Sequence, residues 1–155
     1  YILVLKLIYL SGLRISEALN LKWSDINYQD NSIYVYGKGS KERKVFIIKD
    51  FLDHLKILDK KNQFIFTLNN KKISARSVNK FLENCYVDSI IEYKLSTHIF
   101  RHSFATTMLE NNADIRHIQK LLGHSSISTT EIYTKVAKSM KKRVLDSYHP
   151  LKNKL

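Results

Sequence analysis

One segment of this sequence has a clear β-strand pattern, whereas the apolar residues of most other segments recur at helical spacing. Ile33 and Val35 alternate with two tyrosines, the period-two spacing of a half-buried strand. Residues 44–48 predict a second strand, and the charged, glycine-containing segment between the two predicts a hairpin loop. Residues 64–66 predict a short third strand. So few short strands can form only a small sheet, and helices must therefore supply most of the fold.

Apolar residues recur at helical spacing through most of the remaining chain. The predicted helices are residues 1–11, a short helix after Arg14, 51–61, a helix capped by Ser74, 97–110, 115–122 between Asp114 and Gly123, a helix that begins near Thr129, and the tail 135–147. The predicted fold class is mainly α with a small antiparallel β-sheet (α+β), in a single domain of residues 1–155.

The charge of the chain favours a polyanionic partner. It has 26 Lys and Arg against 14 Asp and Glu, for a net charge of +12. Nucleic acid is the first expectation, an acidic membrane surface is the second, and a solvated basic surface is the plainest alternative. The single cysteine, Cys85, excludes an internal disulfide and a cysteine-based zinc site, and it fits a cytoplasmic location.

The apolar opening of the chain predicts a buried helix and not a membrane anchor. Residues 1–5 are apolar, but Lys6 interrupts the run, which is too short to span a bilayer. Because the chain begins inside this run and without methionine, we expect it to be part of a longer protein.

Two arginines in separate segments could hold one phosphate. A phosphodiester cleaved without a metal needs its negative charge neutralised, and a guanidinium is a planar fork of donors that stays charged. Arg14 follows a glycine turn, and a surface arginine is its simplest alternative. Arg101 has apolar neighbours in a predicted helix, so it needs an anionic partner. Glu17, one helical turn after Arg14, could orient it or form an ordinary surface pair.

Two histidines lie on the same predicted helix as Arg101. His98 precedes Arg101 by three residues, so both could contact the same phosphate. His98 and His102 are four residues apart, a spacing also found in zinc-binding helices. Ile99 stands where a metalloprotease needs its glutamate, and the sequence offers no evident third ligand. We therefore expect no metal, and we predict a supporting or core position for His102.

The predicted hairpin loop carries a cluster of basic residues. Lys38 stands between two glycines, and Lys41, Arg43 and Lys44 follow it. These three are predicted DNA contacts, with a solvated basic loop as the alternative. Lys38 could donate a proton to a leaving oxygen, because desolvation and neighbouring cations lower the pKa of a lysine. Spacing alone does not choose Lys38 over Lys41.

One of the nine tyrosines stands near a predicted helix start. Ser128 and Glu131 have capping-box spacing, which places Tyr133 in the first turns of a helix. His124 follows a helix-ending glycine, where it could donate a hydrogen bond to a phosphate oxygen. A tyrosine hydroxyl supplies an oxygen nucleophile whose phosphate ester can later be reversed.

The order and local sequence of these segments resemble the tyrosine recombinases, also called the phage integrase family. The matching segments are Gly12-Leu13-Arg14, Gly37-Lys38-Gly39, His98-Ile99-Phe100-Arg101 and Leu121-Leu122-Gly123-His124, followed by Tyr133. Phe100 stands where the family often has leucine. The ending 147–150 is most similar to the Xer-type branch, although mobile-element integrases share much of this region. The resemblance implies the tyrosine recombinase catalytic-domain fold, with the family's N-terminal core-binding domain absent from this chain.

The resemblance also implies a reaction that needs neither metal nor nucleotide cofactor. The implied catalytic residues are Arg14, Lys38, His98, Arg101, His124 and Tyr133, with Glu17 and His102 in support. Tyr133 would attack the scissile phosphate to give a 3′-phosphotyrosine, while two arginines and His124 stabilise the transition state. Lys38 would protonate the leaving 5′ oxygen, and His98 would act as general acid or base.

The implied partners are double-stranded DNA and further recombinase subunits, with no membrane. Val136, Met140 and Val144 repeat at every fourth position of the basic tail, which forms a narrow apolar stripe suited to a groove. The family passes a C-terminal helix to a neighbouring subunit, which implies a homo- or hetero-tetramer on two DNA sites through residues 135–149. The alternative is a helix that folds back on its own domain.

Two other functions fit some of the same residues. A type IB topoisomerase uses closely related chemistry within one duplex, but the short spacing and the Leu-Gly-His segment favour a recombinase. A DNA-binding module without catalysis is the second alternative, and covalent trapping on nicked DNA would separate it from either enzyme.

Overall fold

The structure, a computed structural model, describes residues 1–37, 42–88 and 92–123. Two compact units are distinguished, Tyr1–Phe104 and Ala105–Leu155. Within the described residues, helices predominate and the strands are short and antiparallel. The predicted mainly α class with a small antiparallel sheet is therefore confirmed. That residues 1–155 form a single domain stays a prediction.

A glycine turn joins the first two helices. These are α1 (Ile2–Ser11) and α2 (Ile15–Asn20), as predicted. Gly12 ends α1 in the left-handed conformation, with φ 65°, and its N–H donates to the Ile8 carbonyl at 2.8 Å. Glycine adopts this conformation without a steric penalty from a Cβ atom. The turn brings the chain to Arg14, which is the N-cap of α2.

Three antiparallel strands form the main sheet in the order β1-β2-β3. The strands are β1 (Ile26–Asn27), β2 (Ser32–Tyr36) and β3 (Glu42–Phe46), and a separate hairpin consists of β4 (Thr67–Leu68) and β5 (Lys71–Lys72). β3 begins two residues before the predicted start, and its register pairs Val35 with Arg43. Ile33, Val35 and Val45 are buried, whereas Lys44 and Phe46 lie outward.

The prediction of a strand at residues 64–66 is wrong. Phe64 makes only an isolated bridge to Lys22, and Ile65 and Phe66 are both buried. Two successive buried side chains do not follow the alternation of a strand with one exposed face. The strands of this region come later, at a turn where Asn69 and Asn70 both have positive φ. Asparagine tolerates that conformation, which two-residue hairpin turns require.

In the described part of the chain, four α-helices follow the main sheet. They are α3 (Lys49–Lys56), α4 (Ala75–Val87), α5 (Thr97–Glu110) and α6 (Ile115–Leu122). The prediction for α3 ran too far, because its helix ends at Lys56. Ser74 and Asp114 cap α4 and α6 as predicted, and Gly123 ends α6 with φ 64°. The helix predicted near Thr129 and the predicted tail helix lie outside the described residues.

The core of the first unit joins its helices to the inner face of the sheet. Its largest fully buried side chains include Leu7 and Ile8 of α1, Ile33 of β2 and Phe51 of α3. Each fully buried aliphatic or aromatic side chain of this size contributes about 1.5–3 kcal/mol to folding. This core supports α2 and β3, two of the elements that hold the site described below. None of the helices in the described ranges is long and apolar enough to cross a membrane.

Candidate active site

A buried carboxylate stands at the centre of the candidate site. The Glu17 side chain is only 4% exposed, at the third position of α2. Its Oε2 accepts the backbone N–H of Arg14 at 2.8 Å, and its Oε1 accepts Nη1 of Arg14 at 3.1 Å. Glu17 thus caps its own helix and holds the arginine that begins it. The contact needed for Glu17 to orient Arg14 is therefore present, and its supporting role in catalysis stays a prediction.

Arg43 of β3 completes the coordination of this carboxylate. Its Nη1 donates to Oε1 of Glu17 and its Nη2 donates to Oε2, both at 2.9 Å. Two parallel hydrogen bonds between a guanidinium and a carboxylate form the strongest common geometry of such a pair. The Arg43 side chain is 18% exposed, so this pair lies largely out of water.

Arg101 of α5 reaches the same carboxylate from a distant part of the sequence. Its side chain is 10% exposed, and its Nη1 lies 3.9 Å from Oε2 of Glu17. The same nitrogen donates to the carbonyl of Gly12, which is 89 residues away in the sequence. The requirement of Arg101 for an acceptor, inferred from its apolar neighbours, is met by these oxygens. Arg14 and Arg101 therefore share one anchor, within the unit Tyr1–Phe104.

The electrostatics of this cluster keep Glu17 ionised. Burial raises the pKa of the Glu17 carboxyl, but hydrogen bonds from Arg43 and from the Arg14 backbone, together with the charges of both guanidiniums, outweigh burial. The pKa of Glu17 therefore lies below its ordinary value. Three guanidiniums around one carboxylate leave positive charge in excess. The Arg14 side chain is 42% exposed, so an external anion such as a phosphate can approach it.

The two histidines of α5 differ in exposure. His98, near the start of the helix, is exposed, whereas His102 is half-buried. The i, i+3 relation of His98 to Arg101 is kept, because both lie in one continuous helix. Their predicted roles stay predictions. Among the described residues, no group of three or more His, Cys, Asp or Glu side chains could hold a metal ion.

Only some of the basic residues predicted in the β2–β3 hairpin lie within the described residues. Lys38 and Lys41 lie outside the described residues. Lys44 is partly exposed, forms an ion pair with Asp30, and has its Nζ 5.4 Å from the centre of the Phe46 ring. The DNA contacts predicted for Lys41, Arg43 and Lys44 stay predictions.

The contact of Arg43 with Glu17 was missed by the sequence analysis. The signal for it is the alternation along β3, because Val45 is buried and Arg43, two residues earlier, shares its face. The sequence-based prediction instead treated Arg43 like the outward-facing Lys44, as a DNA contact, because both residues are basic.

The remaining predicted catalytic residues, His124 and Tyr133, lie outside the described residues. The described part of the site therefore consists of four side chains on the N-terminus of α2, on β3 and on α5. They are Arg14, Glu17, Arg43 and Arg101.

Comparison with known proteins gives the family. The model of the phage integrase family matches residues 1–140. The chain belongs to the phage integrase family. This confirms the resemblance inferred from the order of the arginine, histidine and tyrosine segments.

Relatives of this phage integrase family member include a tyrosine recombinase of Agathobacter rectalis. The two are 41% identical over 159 residues, which cover 97% of this chain and 52% of the relative. The chain thus spans about half the length of the curated relative that it matches.

Two solved structures show the same fold as this family member. The crystal structure of XerA recombinase superposes with a TM-score of 0.75 at 29% identity, over 91% of this chain and 56% of that one. XerH site-specific recombinase, in a pre-cleavage complex with its difH substrate, gives a TM-score of 0.69 at 28% identity. That match covers 95% of this chain and 46% of XerH. The predicted tyrosine recombinase catalytic-domain fold is therefore confirmed.

Proposed function

We propose that this chain is the catalytic part of a tyrosine-type site-specific DNA recombinase. It would cleave and rejoin DNA strands through a 3′-phosphotyrosine intermediate, without a metal or a nucleotide. The observation that carries the proposal is the meeting of Arg14 and Arg101 at Glu17. An excess of guanidinium charge at one place fits a phosphodiester on which negative charge develops during cleavage. Membership of the phage integrase family supports the same reaction.

In this proposal Tyr133 is the nucleophile, and it attacks the scissile phosphate while the 5′ oxygen leaves. Arg14, Arg101 and His124 stabilise the pentacoordinate transition state. Removing one preorganised donor of this kind costs roughly 3–4 kcal/mol in related oxyanion sites. Attack by the 5′ hydroxyl of a second strand then releases Tyr133, so the phosphodiester is re-formed without an external energy source.

Proton transfer is assigned to the other two residues. Lys38 protonates the leaving 5′ oxygen, and His98 acts as general acid or base near the phosphate. The exposure of His98, at i−3 from Arg101 on α5, supports its access to a bound DNA strand. His102 supports the site from its half-buried position.

Double-stranded DNA is the proposed partner. The net charge of +12 and the likeness to XerH in complex with its difH substrate support it. Lys41 and Lys44 are proposed to contact the phosphate backbone. Assembly is proposed as a tetramer on two DNA sites, through the helix of residues 135–149, and the proposed location is the cytoplasm.

The proposal is tested by trapping the covalent intermediate on a nicked suicide substrate. Tyr133→Phe should keep the fold and the affinity for DNA but give no covalent complex, because it lacks the nucleophilic oxygen. Tyr9→Phe is the matched control, since Tyr9 is an exposed tyrosine of α1 outside the site. A strong chelator should leave the trapping unchanged. Covalent product at the normal level from Tyr133→Phe would refute the assignment of the nucleophile.

A further inference from the structure

The position of Arg43 follows from the pleat of the sheet. Arg43 is paired with Val35 and Val45 is paired with Ile33, so all four side chains lie on the same face. The other three members of this face are buried in the core. Arg43 is therefore directed toward the interior of the first unit, where α2 presents Glu17. The neighbouring Lys44 lies on the opposite face, with Phe46.

The hydrogen bonds of Arg43 leave it few donors for DNA. Both terminal nitrogens of its guanidinium are bonded to Glu17. Its Nε is buried and, among the described residues, has no hydrogen-bond partner. The remaining N–H groups of the terminal nitrogens belong to a side chain that is only 18% exposed, and turning the guanidinium toward DNA would leave a buried carboxylate without its two best donors.

Glu17 couples the position of Arg43 to that of Arg14, because both guanidiniums bond to its carboxylate. Oε1 of Glu17 is shared by Nη1 of Arg43 and Nη1 of Arg14, so the two guanidiniums meet at one oxygen. Oε2 accepts the other Arg43 nitrogen and the N-cap amide of α2, and Nη1 of Arg101 is near it. The two bonds from Arg43 fix the plane of the carboxylate. Two other donors to Glu17, the backbone N–H and Nη1 of Arg14, come from the N-cap of its own short helix and not from a separate element.

We propose that Arg43 is a positioning residue of the active site, which orients Glu17 so that Glu17 holds Arg14, beside Arg101, for the phosphate. This inference rests on the proposed recombinase function. It assigns Arg43 to the chemistry of cleavage and not to the binding of the DNA backbone. Misplacing a catalytic group by about 1 Å can slow a reaction on the order of 100-fold, so this indirect role should have a large effect.

A second consequence concerns the charge of Glu17. The charged groups recorded around it are Arg14 on its own helix, Arg43 on β3 and Arg101 on α5. Burial raises the pKa of Glu17, and Arg43 provides the largest opposing effect. When Arg43 is removed, the largest effect that opposes burial is lost, and the pKa of Glu17 should rise above its wild-type value. Protonated Glu17 would then release Arg14, so cleavage should fall with acid in a range where the wild-type protein is unaffected.

The experiment compares five variants: Arg43→Met, Arg43→Lys, Glu17→Gln, Arg43→Met combined with Glu17→Gln, and Lys44→Met. For each, the dissociation constant for DNA is measured against salt, and single-turnover formation of the covalent complex is measured against pH. The double variant removes both members of the buried pair, which costs less stability than removing one. It therefore keeps the test open if Arg43→Met folds poorly.

We expect Arg43→Met to slow cleavage about 100-fold, while its DNA affinity and salt dependence stay at the wild-type level. The rate of Arg43→Met should fall further as the pH is lowered. The double variant should lack this acid dependence, and it should cleave no more slowly than Glu17→Gln alone. Arg43→Lys should remain slow, because an ammonium lacks the planar fork, but it should show no acid dependence. Lys44→Met should instead lower the salt slope by about one, as the loss of a phosphate contact does.

Several results would overturn the inference. These are a lowered salt slope in Arg43→Met, a wild-type rate in Arg43→Lys, or multiplied effects in the double variant. Failure of the recombinase function is distinguished because the wild-type protein itself would then give no covalent complex. In that case, carbon-13 NMR of the Glu17 carboxyl, without DNA, still decides. An unchanged titration of Glu17 in Arg43→Met would refute the role of Arg43, whereas a raised pKa with a coupled shift of the Arg14 guanidinium would support it.

Discussion

Replacement of Glu17 by glutamine should strongly destabilise the fold, even though the shape of the side chain is kept. The change removes the negative charge that Arg43 and Arg101 face in a site where their side chains are 18% and 10% exposed. Removing one partner of a buried charged pair costs about 3–5 kcal/mol, because the other charge stays buried without compensation. The free energy of unfolding of Glu17→Gln should therefore be lower by about 3–5 kcal/mol at neutral pH.

The measurement is urea unfolding followed by circular dichroism, with wild type and variant compared at equal slope. The matched control is Asp53→Asn, which breaks the exposed pair with Lys56 on α3 and should change the unfolding midpoint little. Equal destabilisation by the two variants would mean that the buried cluster contributes no more than a surface pair. Wild-type stability in Glu17→Gln would refute the reasoning altogether.

The same comparison has a defined pH dependence. The folded-state pKa of Glu17 lies below its ordinary value of 4.5, so its stabilising effect is fully present above that pH. As the pH falls below 4.5, the unfolded chain takes up a proton that the folded protein does not. The stability difference between wild type and Glu17→Gln should therefore shrink as the pH falls from there toward the folded-state pKa. A difference that instead grows in acid would contradict the lowered pKa.

Two further predictions concern residues outside the described ranges. Lys38→Ala should cleave ordinary DNA slowly but be largely rescued when the bridging 5′ oxygen is replaced by sulfur, because a thiolate leaves without a proton donor. Arg101→Ala should not be rescued by the sulfur substrate. Equal defects of Lys38→Ala on both substrates would reassign Lys38 to phosphate binding. Truncation after Thr134 should leave much of the fold intact, apart from the predicted tail helix, but abolish recombination between two DNA sites. If the truncated protein still recombined DNA and formed tetramers on it, the tail would be only an electrostatic anchor.

Much of the helical framework could be predicted from local signals. Thr97–Glu110 and Ile115–Leu122 both have the predicted bounds. Those of Ile115–Leu122 follow from Asp114 and Gly123, which act within a turn of the residues they cap. The third strand could not be placed in this way. Its position depends on which short segment pairs with β2, and a pair of buried side chains at Ile65 and Phe66 gives no register.

The candidate site was only partly predictable, for a similar reason. The need of Arg101 for an acceptor follows from its apolar neighbours, and the i, i+3 spacing suggests the pair of Arg14 with Glu17. The third guanidinium comes from a strand 26 residues beyond Glu17, and its contact depends on how β3 packs beside α2. The family resemblance implies which other residues belong to the active site, but it did not predict the contact of Arg43 with Glu17.

Gly12 contributes a backbone carbonyl, and not a side chain, to the arginine cluster. Its left-handed backbone ends α1, and the carbonyl of the same residue accepts a hydrogen bond from Arg101. A Cβ atom on an L-residue with this positive φ costs roughly 1–2 kcal/mol, and relaxing to another torsion would reorient the carbonyl that Arg101 uses. Mutational tolerance at position 12 should therefore follow the backbone angle φ and not the size or polarity of the side chain. Chemical synthesis with an α-methylated or D-amino acid at position 12 would separate the effect of φ from the effect of side-chain size and polarity. Such residues change the torsional preference of the backbone without adding a polar group.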